Sequence, residues 1–126
     1  MHWAERIADE LIAENPGKEE FLCAAGTSPS GSVHIGNFRD VATPFFVVKA
    51  LRAKGKKARL MLSWDDFDRL RKVPKNIAAI DPDFGKYLGM PYSMIPDPNG
   101  KCESFADYYE KEYEKSLEEL GIDIEY

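Results

Sequence analysis

An apolar run, a loop of glycine and serine, a long amphipathic stretch and a second apolar run follow one another between residues 21 and 64. That order leaves few folds open. The first run, Phe21-Leu22-Cys23-Ala24-Ala25, is short and continuous, as expected of a buried strand. Residues 37–54 repeat apolar positions at helical spacing, with Val41, Phe45, Val48 and Leu51 on one face and Val47 closing the stripe. Pro44 lies inside this pattern; it removes one backbone hydrogen bond and is expected to bend or divide the helix. Gly55 is placed to end it. The second run, Ala58-Arg59-Leu60-Met61-Leu62-Ser63-Trp64, reads as another strand. Strand, loop, helix, strand is a βαβ unit, in which the strands are parallel and the crossover right-handed. Ligands of such sheets bind beyond the carboxyl ends of the strands. The topology is therefore expected to bring the loop at 27–37 and the turn Asp65-Asp66-Phe67-Asp68 to one edge.

The rest of the chain supplies flanking helices. Trp3, Ile7, Leu11 and Ile12 recur at helical spacing, and Asn15-Pro16-Gly17 stops that helix. Between residues 69 and 101, Pro74, Pro82, Pro91, Pro96 and Pro98 exclude a long regular helix, and a short one is expected over 83–88. Ser104 and Asp107 have the spacing of a capping box. They open a helix whose apolar stripe is Phe105, Tyr108, Tyr109, Tyr113, Leu117 and Leu120, stopped by Gly121. Ile122-Asp123-Ile124-Glu125-Tyr126 then alternates like the start of a strand. At 126 residues the chain forms one domain at most, with enough apolar and aromatic content for a core and no internal repeat.

A formal net charge of −5 argues against a surface that binds nucleic acid throughout, but the balance is uneven. Residues 39–75 hold eleven basic and four acidic residues; residues 103–126 hold nine acidic and two basic. Two readings stand for the basic run: a local basic surface near the loop, or cations at Lys54, Lys56, Lys57 and Arg59 that solubilise a helix end. Cys23 and Cys102 match no metal spacing, and no metal site is expected. Cys23 reads as a small core residue and Trp64 as core rather than site. There is no secretory signal and no apolar run long enough to span a membrane, so a reduced, cytoplasmic setting is the expectation.

The loop Thr27-Ser28-Pro29-Ser30-Gly31-Ser32-Val33-His34-Ile35-Gly36-Asn37 leads from a strand into a helix N-terminus. Unpaired N–H groups there carry partial positive charge and suit phosphate. Gly31 and Gly36 let a phosphate or purine approach the backbone. His34 and Asn37, three apart, face the same way, and both donate hydrogen bonds. Arg39 could face phosphate or pair with Asp40. Asp65, Asp66 and Asp68 could meet a cationic substrate, or form an acidic turn paired with Arg69, Arg71 and Lys72.

His34-Ile35-Gly36-Asn37 resembles the His-Ile-Gly-His signature of class I aminoacyl-tRNA synthetases. The flanking residues are similar to class I lysyl-tRNA synthetase: His2-Trp3-Ala4, Thr27-Ser28-Pro29-Ser30-Gly31, Asn37-Phe38-Arg39-Asp40, Asp65-Asp66-Phe67-Asp68, Leu70-Arg71-Lys72-Val73-Pro74, Tyr87-Leu88-Gly89-Met90-Pro91 and Ile95-Pro96-Asp97-Pro98. The resemblance covers nearly the whole chain and about the first quarter of a full-length member. It implies an α/β, Rossmann-like parallel sheet with flanking helices, incomplete at its C-terminal side, with residues 1–126 as the N-terminal part of the nucleotide-binding catalytic domain. The implied activity is ATP-dependent activation of lysine to lysyl-adenylate and its transfer to tRNA. His34 and Asn37 would be catalytic, stabilising the α-phosphate as a carboxylate attacks it. Thr27, Pro29, Ser30, Gly31, His34, Gly36 and Asn37 would hold ATP, with Mg2+. Gly26, Thr27, Asp65, Asp66 and Asp68 would meet lysine.

The family's second signature, Lys-Met-Ser-Lys-Ser, is absent, as are the rest of the sheet, the metal-bearing insertion and the anticodon-binding domain. The expectation is a truncated ligase that does not charge tRNA alone, with self-association possible through the unfinished edge at 122–126. A different adenylyltransferase of the same superfamily and a non-enzymatic interaction module are the rival readings.

Overall fold

A computed structural model describes residues 2–32 and 35–126. The fold is α/β, a parallel sheet with flanking helices that does not close on itself. The chain divides into two compact units, one from residues 2–27, 35–63 and 122–126, the other from residues 28–32 and 64–121.

In the first unit, α1 (Trp3–Glu14) leads to β1 (Glu20–Thr27), α2 (Ile35–Ala53) and β2 (Lys57–Trp64). His2 caps α1 through Nδ1, which accepts the Ala4 N–H at 3.2 Å. β1 and β2 pair in parallel, with α2 as the crossover packed on α1 and β1. Its C-terminus closes as a Schellman motif: Gly55, at φ +84°, donates to Arg52 O, and Lys56 donates to Leu51 O. Pro44 lies within α2 and does not divide it, because one absent N–H leaves the other turns intact.

The core of this unit is Ala4 and Ala8, Phe21 and Ala25, Val41, Val47, Val48 and Leu51, Ala58, Leu60 and Leu62, and Ile122. Burying each Leu side chain contributes about 1.5–3 kcal/mol. Phe45, expected on the buried face, is only half-buried, and Ala50 takes part instead. Trp3, expected in the α1 stripe, is exposed, and the small Ala4 and Ala8 let the helix sit close. β1 is buried on one face rather than both: Glu20, Leu22, Ala24 and Gly26 are exposed, and Cys23, on the other face with Phe21 and Ala25, is partly buried. That partial burial still pushes the Cys23 thiol pKa up.

The tail behaves as the start of a strand. Glu125 donates to Leu60 O at 2.8 Å and accepts the Leu62 N–H at 2.7 Å, a parallel bridge that adds it to β2. Arg52 fastens the tail, with Nη1 and Nη2 on the two Asp123 carboxylate oxygens at 3.0 and 2.8 Å and Nε on Ala58 O.

The second unit is built around α4 (Phe105–Glu119). Ser104 Oγ accepts the Asp107 N–H at 3.1 Å, the N-cap half of the box, and Gly121 donates to Glu118 O at the other end. Leu120, expected in the stripe, is exposed past the last full turn. The irregular stretch holds a six-residue helix not foreseen from the sequence, α3 (Lys75–Ile80), and the helix expected over 83–88 is a 3₁₀ turn at Phe84–Tyr87. Leu70, Ile77, Phe84, Tyr92 and Ile95 pack with Phe105, Ala106 and Tyr109. Trp64 is partly buried, its Nε1–H on Glu114 Oε1 at 3.0 Å and its ring edge-on to Tyr113.

Candidate functional site

α1, the carboxyl end of β1 and the N-terminal half of α2 enclose a cleft of about 650 Å³ in the first unit. That volume suits a nucleotide or an amino-acid derivative. Ala24, Ala25 and Gly26 line it from β1, and Trp3 and Ile7 from α1. α2 contributes Gly36, Arg39, Asp40, Thr43, Pro44 and Val47, which recur every three or four residues and so share one helical face. Pro44 offers no N–H to the Asp40 carbonyl.

Gly26 and Gly36, read separately from sequence, thus line one cleft. Thr27 ends β1 with 7% of its surface exposed. Asn37 stands half-buried in the first turn of α2. His34 lies outside the described residues. Arg39 and Asp40 both line the cleft. Trp3 and Thr43 were missed, although the spacing from Gly36 to Thr43 carried the signal for the latter.

The second unit holds the remaining candidates. Pro29 is buried and Ser30 exposed; Ser30 donates to Ser28 O at 2.9 Å, a tight local turn. Gly31 has φ +147°, where a side chain is strained, and a Cβ there would meet Pro74 Cγ at 3.6 Å. The acidic turn folds onto this loop: Ser28 Oγ donates to Asp68 Oδ2 at 3.3 Å, so loop and turn meet as the topology implied. Asp68 Oδ1 also accepts from the Arg69 backbone N–H at 3.0 Å and from Arg71 Nη2 at 3.3 Å, so of the three cations in the alternative reading Arg71 alone pairs with the turn among the described residues. Asp66 O accepts the Ser93 N–H, and Asp65 is exposed.

Asp66 meets a partner that sequence reasoning missed. Its carboxyl group lies beside that of Glu110 on α4, with Asp107 and Glu114 near. Glu110 Oε1 is buried with no hydrogen-bond partner among the described residues. Burial, then the Asp66 carboxylate, raise the Glu110 pKa from 4.5 to about 7. The only sequence signal was a carboxylate between Ala106 and Tyr113 on the apolar stripe. Folded Glu110 therefore holds its proton more tightly than unfolded Glu110. Its contribution to stability is full below about pH 4.5 and is lost as pH rises to about 7. Glu110→Gln, a neutral isostere, is expected to stabilise the protein at pH 8 by about 1 kcal/mol, after allowance for solvent screening of a partly open group. It should leave stability unchanged at pH 4.5. Urea titrations at the two pH values check this; equal shifts at both would show that the pair carries no extra proton.

Comparison with known proteins shows the family. The family described as class I (K) tRNA synthetases matches residues 1–126. The chain is 44% identical over 126 residues to a lysine–tRNA ligase of Pyrococcus horikoshii, covering 100% of this chain and 24% of that one. The lysine–tRNA ligase of Treponema pallidum is 43% identical with the same coverage. That of Streptomyces coelicolor is 38% identical over 128 residues, covering 98% of this chain and 22% of its own. The chain thus spans about a quarter of the length of the curated relatives it matches.

Proposed function

We propose that this chain, which belongs to the family of class I (K) tRNA synthetases, is the N-terminal part of a lysine–tRNA ligase and carries half of a lysine-activating site. The observation that supports this most is similarity without interruption by another family: the match runs from residue 1 to residue 126, and the relatives are lysine–tRNA ligases. In the proposed reaction a lysine carboxylate oxygen bonds to the α-phosphorus of ATP, supplied as its magnesium complex. The bond from that phosphorus to the β-bridging oxygen breaks, and pyrophosphate leaves. A tRNA hydroxyl then takes the lysyl group and AMP is released.

Each residue's part follows from its chemistry. Gly36 and the first turn of α2 receive the nucleotide, where the positive end of the helix dipole favours negative charge. His34 and Asn37 donate to phosphate oxygens as charge builds on them. Thr27, Pro29, Ser30 and Gly31, in the loop after β1, are further residues proposed to contact ATP. Gly26 and the Thr27 backbone meet the amino acid. Asp68 is occupied by Ser28 and Arg71 and Asp66 by Glu110. Exposed Asp65 is therefore the carboxylate best able to take the lysine ammonium. A cytoplasmic setting belongs to the same proposal; among the described residues no helix is long and apolar enough to cross a membrane.

Without the second half of the site, the chain is expected to bind but not to turn over. Calorimetric titration with a non-hydrolysable lysyl-adenylate analogue tests this, with His34→Ala and Asp65→Asn beside the parent. Binding weakened about tenfold or more in His34→Ala, roughly the contribution of one charge-assisted hydrogen bond, is the expected result. Lysine-dependent release of pyrophosphate from ATP by the chain alone would overturn the half-site. Binding of ATP indifferent to lysine would point instead to another adenylyltransferase, and no binding to an interaction module. Light scattering on the same samples reads self-association through the edge at 122–126.

A further inference from the structure

The positive charge between residues 39 and 75 is not spread evenly once the chain is folded. In the first unit, four of the seven cations in this span have a carboxylate partner; Arg39, Lys49 and Lys57 form no ion pair among the described residues. Arg52 pairs with Asp123, Lys54 with Asp9, Lys56 with Glu19, and Arg59 with Glu20 and Glu125, all at 2.8–3.2 Å. The second unit differs. From Arg69 to Ile80 the sequence has four cations and no acid. Of these, Arg71 alone is paired, to Asp68 at 3.3 Å, and its side chain stays 69% exposed. Arg69, Lys72 and Lys75 form no ion pair among the described residues, and all three are exposed.

These cations stand on fixed backbone. Leu70 is buried; its N–H donates to Met90 O at 2.9 Å and its carbonyl accepts from Gly89 at 2.8 Å, while Arg69 bridges Pro91. Alternation along an extended segment turns Arg69 and Arg71 to the side opposite Leu70, about 7 Å apart. With Leu70, Leu88 and Gly89 they line a shallow cleft of about 480 Å³. Leu88 is half-exposed beside them. Lys75 opens α3, whose Ile77 joins the same core as Leu70.

From this placement we infer that the surface of Arg69, Arg71, Lys72 and Lys75 is a docking site for the phosphodiester backbone of RNA. Guanidinium groups bind phosphate oxygens in a bidentate fork, and their spacing along the strand approaches that of successive phosphates. The preordered backbone lowers the entropy lost on binding. The contacts are to phosphate, so they position an RNA without reading its sequence. The choice of RNA over another polyanion rests on the tRNA-ligase reading; the location of the surface does not.

The test is fluorescence anisotropy of a labelled tRNA transcript titrated with the full chain at about 50 mM salt. Arg69→Ala/Lys72→Ala/Lys75→Ala is compared with Lys54→Ala/Lys56→Ala/Arg59→Ala, which removes equal charge from the other unit. The first triple should weaken binding tenfold or more and lower the slope of log Kd against log salt by about 2, roughly 0.7 for each lost contact. The second should change affinity less than threefold. Equal weakening by both would reduce the effect to net charge and overturn the site. So would no weakening, or a parent that fails to bind tRNA at roughly 100 μM. Polyglutamate that displaces the tRNA as well as unlabelled RNA does would overturn the RNA assignment. If the first triple fails to fold, by circular dichroism, the exposed Lys72→Glu replaces it, compared with Lys54→Glu. The first should weaken binding and lower the slope by about 0.7, one lost contact, and equal weakening by both would overturn the site. Adenylate-analogue binding is read in parallel. Its failure beside a selective loss of tRNA binding would remove the earlier reading and leave this surface standing.

Discussion

Phe105→Ala is expected to destabilise the second unit by about 3–5 kcal/mol, a large part of the stability of any domain this size. Phe105 is completely buried. Tyr92 stacks on it at 5.4 Å between ring centroids, Tyr109 lies at 4.7 Å and Phe84 at 5.8 Å. Its N–H donates to Ile95 O at 2.7 Å, so the ring is fixed where α4 begins. Truncation leaves a cavity lined by three aromatic rings that the short, proline-bounded segments around it cannot easily fill. Phe105→Leu keeps much of the volume and should cost about 1–2 kcal/mol. Urea denaturation followed by near-ultraviolet circular dichroism reads both variants. A loss below about 1 kcal/mol for the alanine variant would mean that this cluster is not what holds the unit together.

That cluster also shows why this half of the chain was hard to read. Leu70, Ile77, Phe84, Tyr92 and Ile95 follow no helical or strand period. They are gathered by short turns between prolines, and only their common target, Phe105, makes them a core. α3 forms because Ile77 is buried there, not because six residues favour a helix alone. The first unit was legible because its two periods are long and distinct. Even there, a continuous apolar run could not show that β1 has one open face, nor that Ala50 rather than Phe45 completes the buried side of α2. At the site, Gly26, Gly36 and the meeting of Ser28 with Asp68 followed from topology. Trp3 in the cleft and Glu110 beside Asp66 depend on packing between distant segments, which no local pattern encodes.

The second large effect is expected at Asp97. Its carboxylate is buried and accepts four hydrogen bonds: from the backbone N–H of Asn99, Lys101 and Cys102, each at 2.9 Å, and from Asn99 Nδ2 at 3.1 Å. Burial opposes its ionisation, but the donors of Asn99, Cys102 and Lys101 outweigh that and hold its pKa below the usual carboxylate value. Asp97→Ala strands three backbone donors in the loop that leads into α4. A loss of about 2–4 kcal/mol is expected. Asp97→Asn, which keeps one good acceptor, should lose roughly half as much. Because the folded pKa is depressed, the parent's advantage over Asp97→Asn is present at neutral pH and shrinks as pH falls through the folded value. Thermal melts of the three proteins between neutral pH and about pH 3 read this. An advantage that grows on acidification would show that the carboxylate form is not the stabilising one.

The tail that bridges to β2 in the first unit is reached only after a long excursion: Arg59 and Glu125, which meet across β2 and the tail, are 66 residues apart. Closing a loop of that length is costly, but the cost rises only with the logarithm of the length, about 0.6 kcal/mol for each doubling. The bridge at Glu125 and the Arg52–Asp123 fork are therefore nearly indifferent to how much polypeptide lies between them. The stretch between β2 and the tail is free to gain or lose whole segments at its exposed turns. The sheet would register little beyond where the chain comes back.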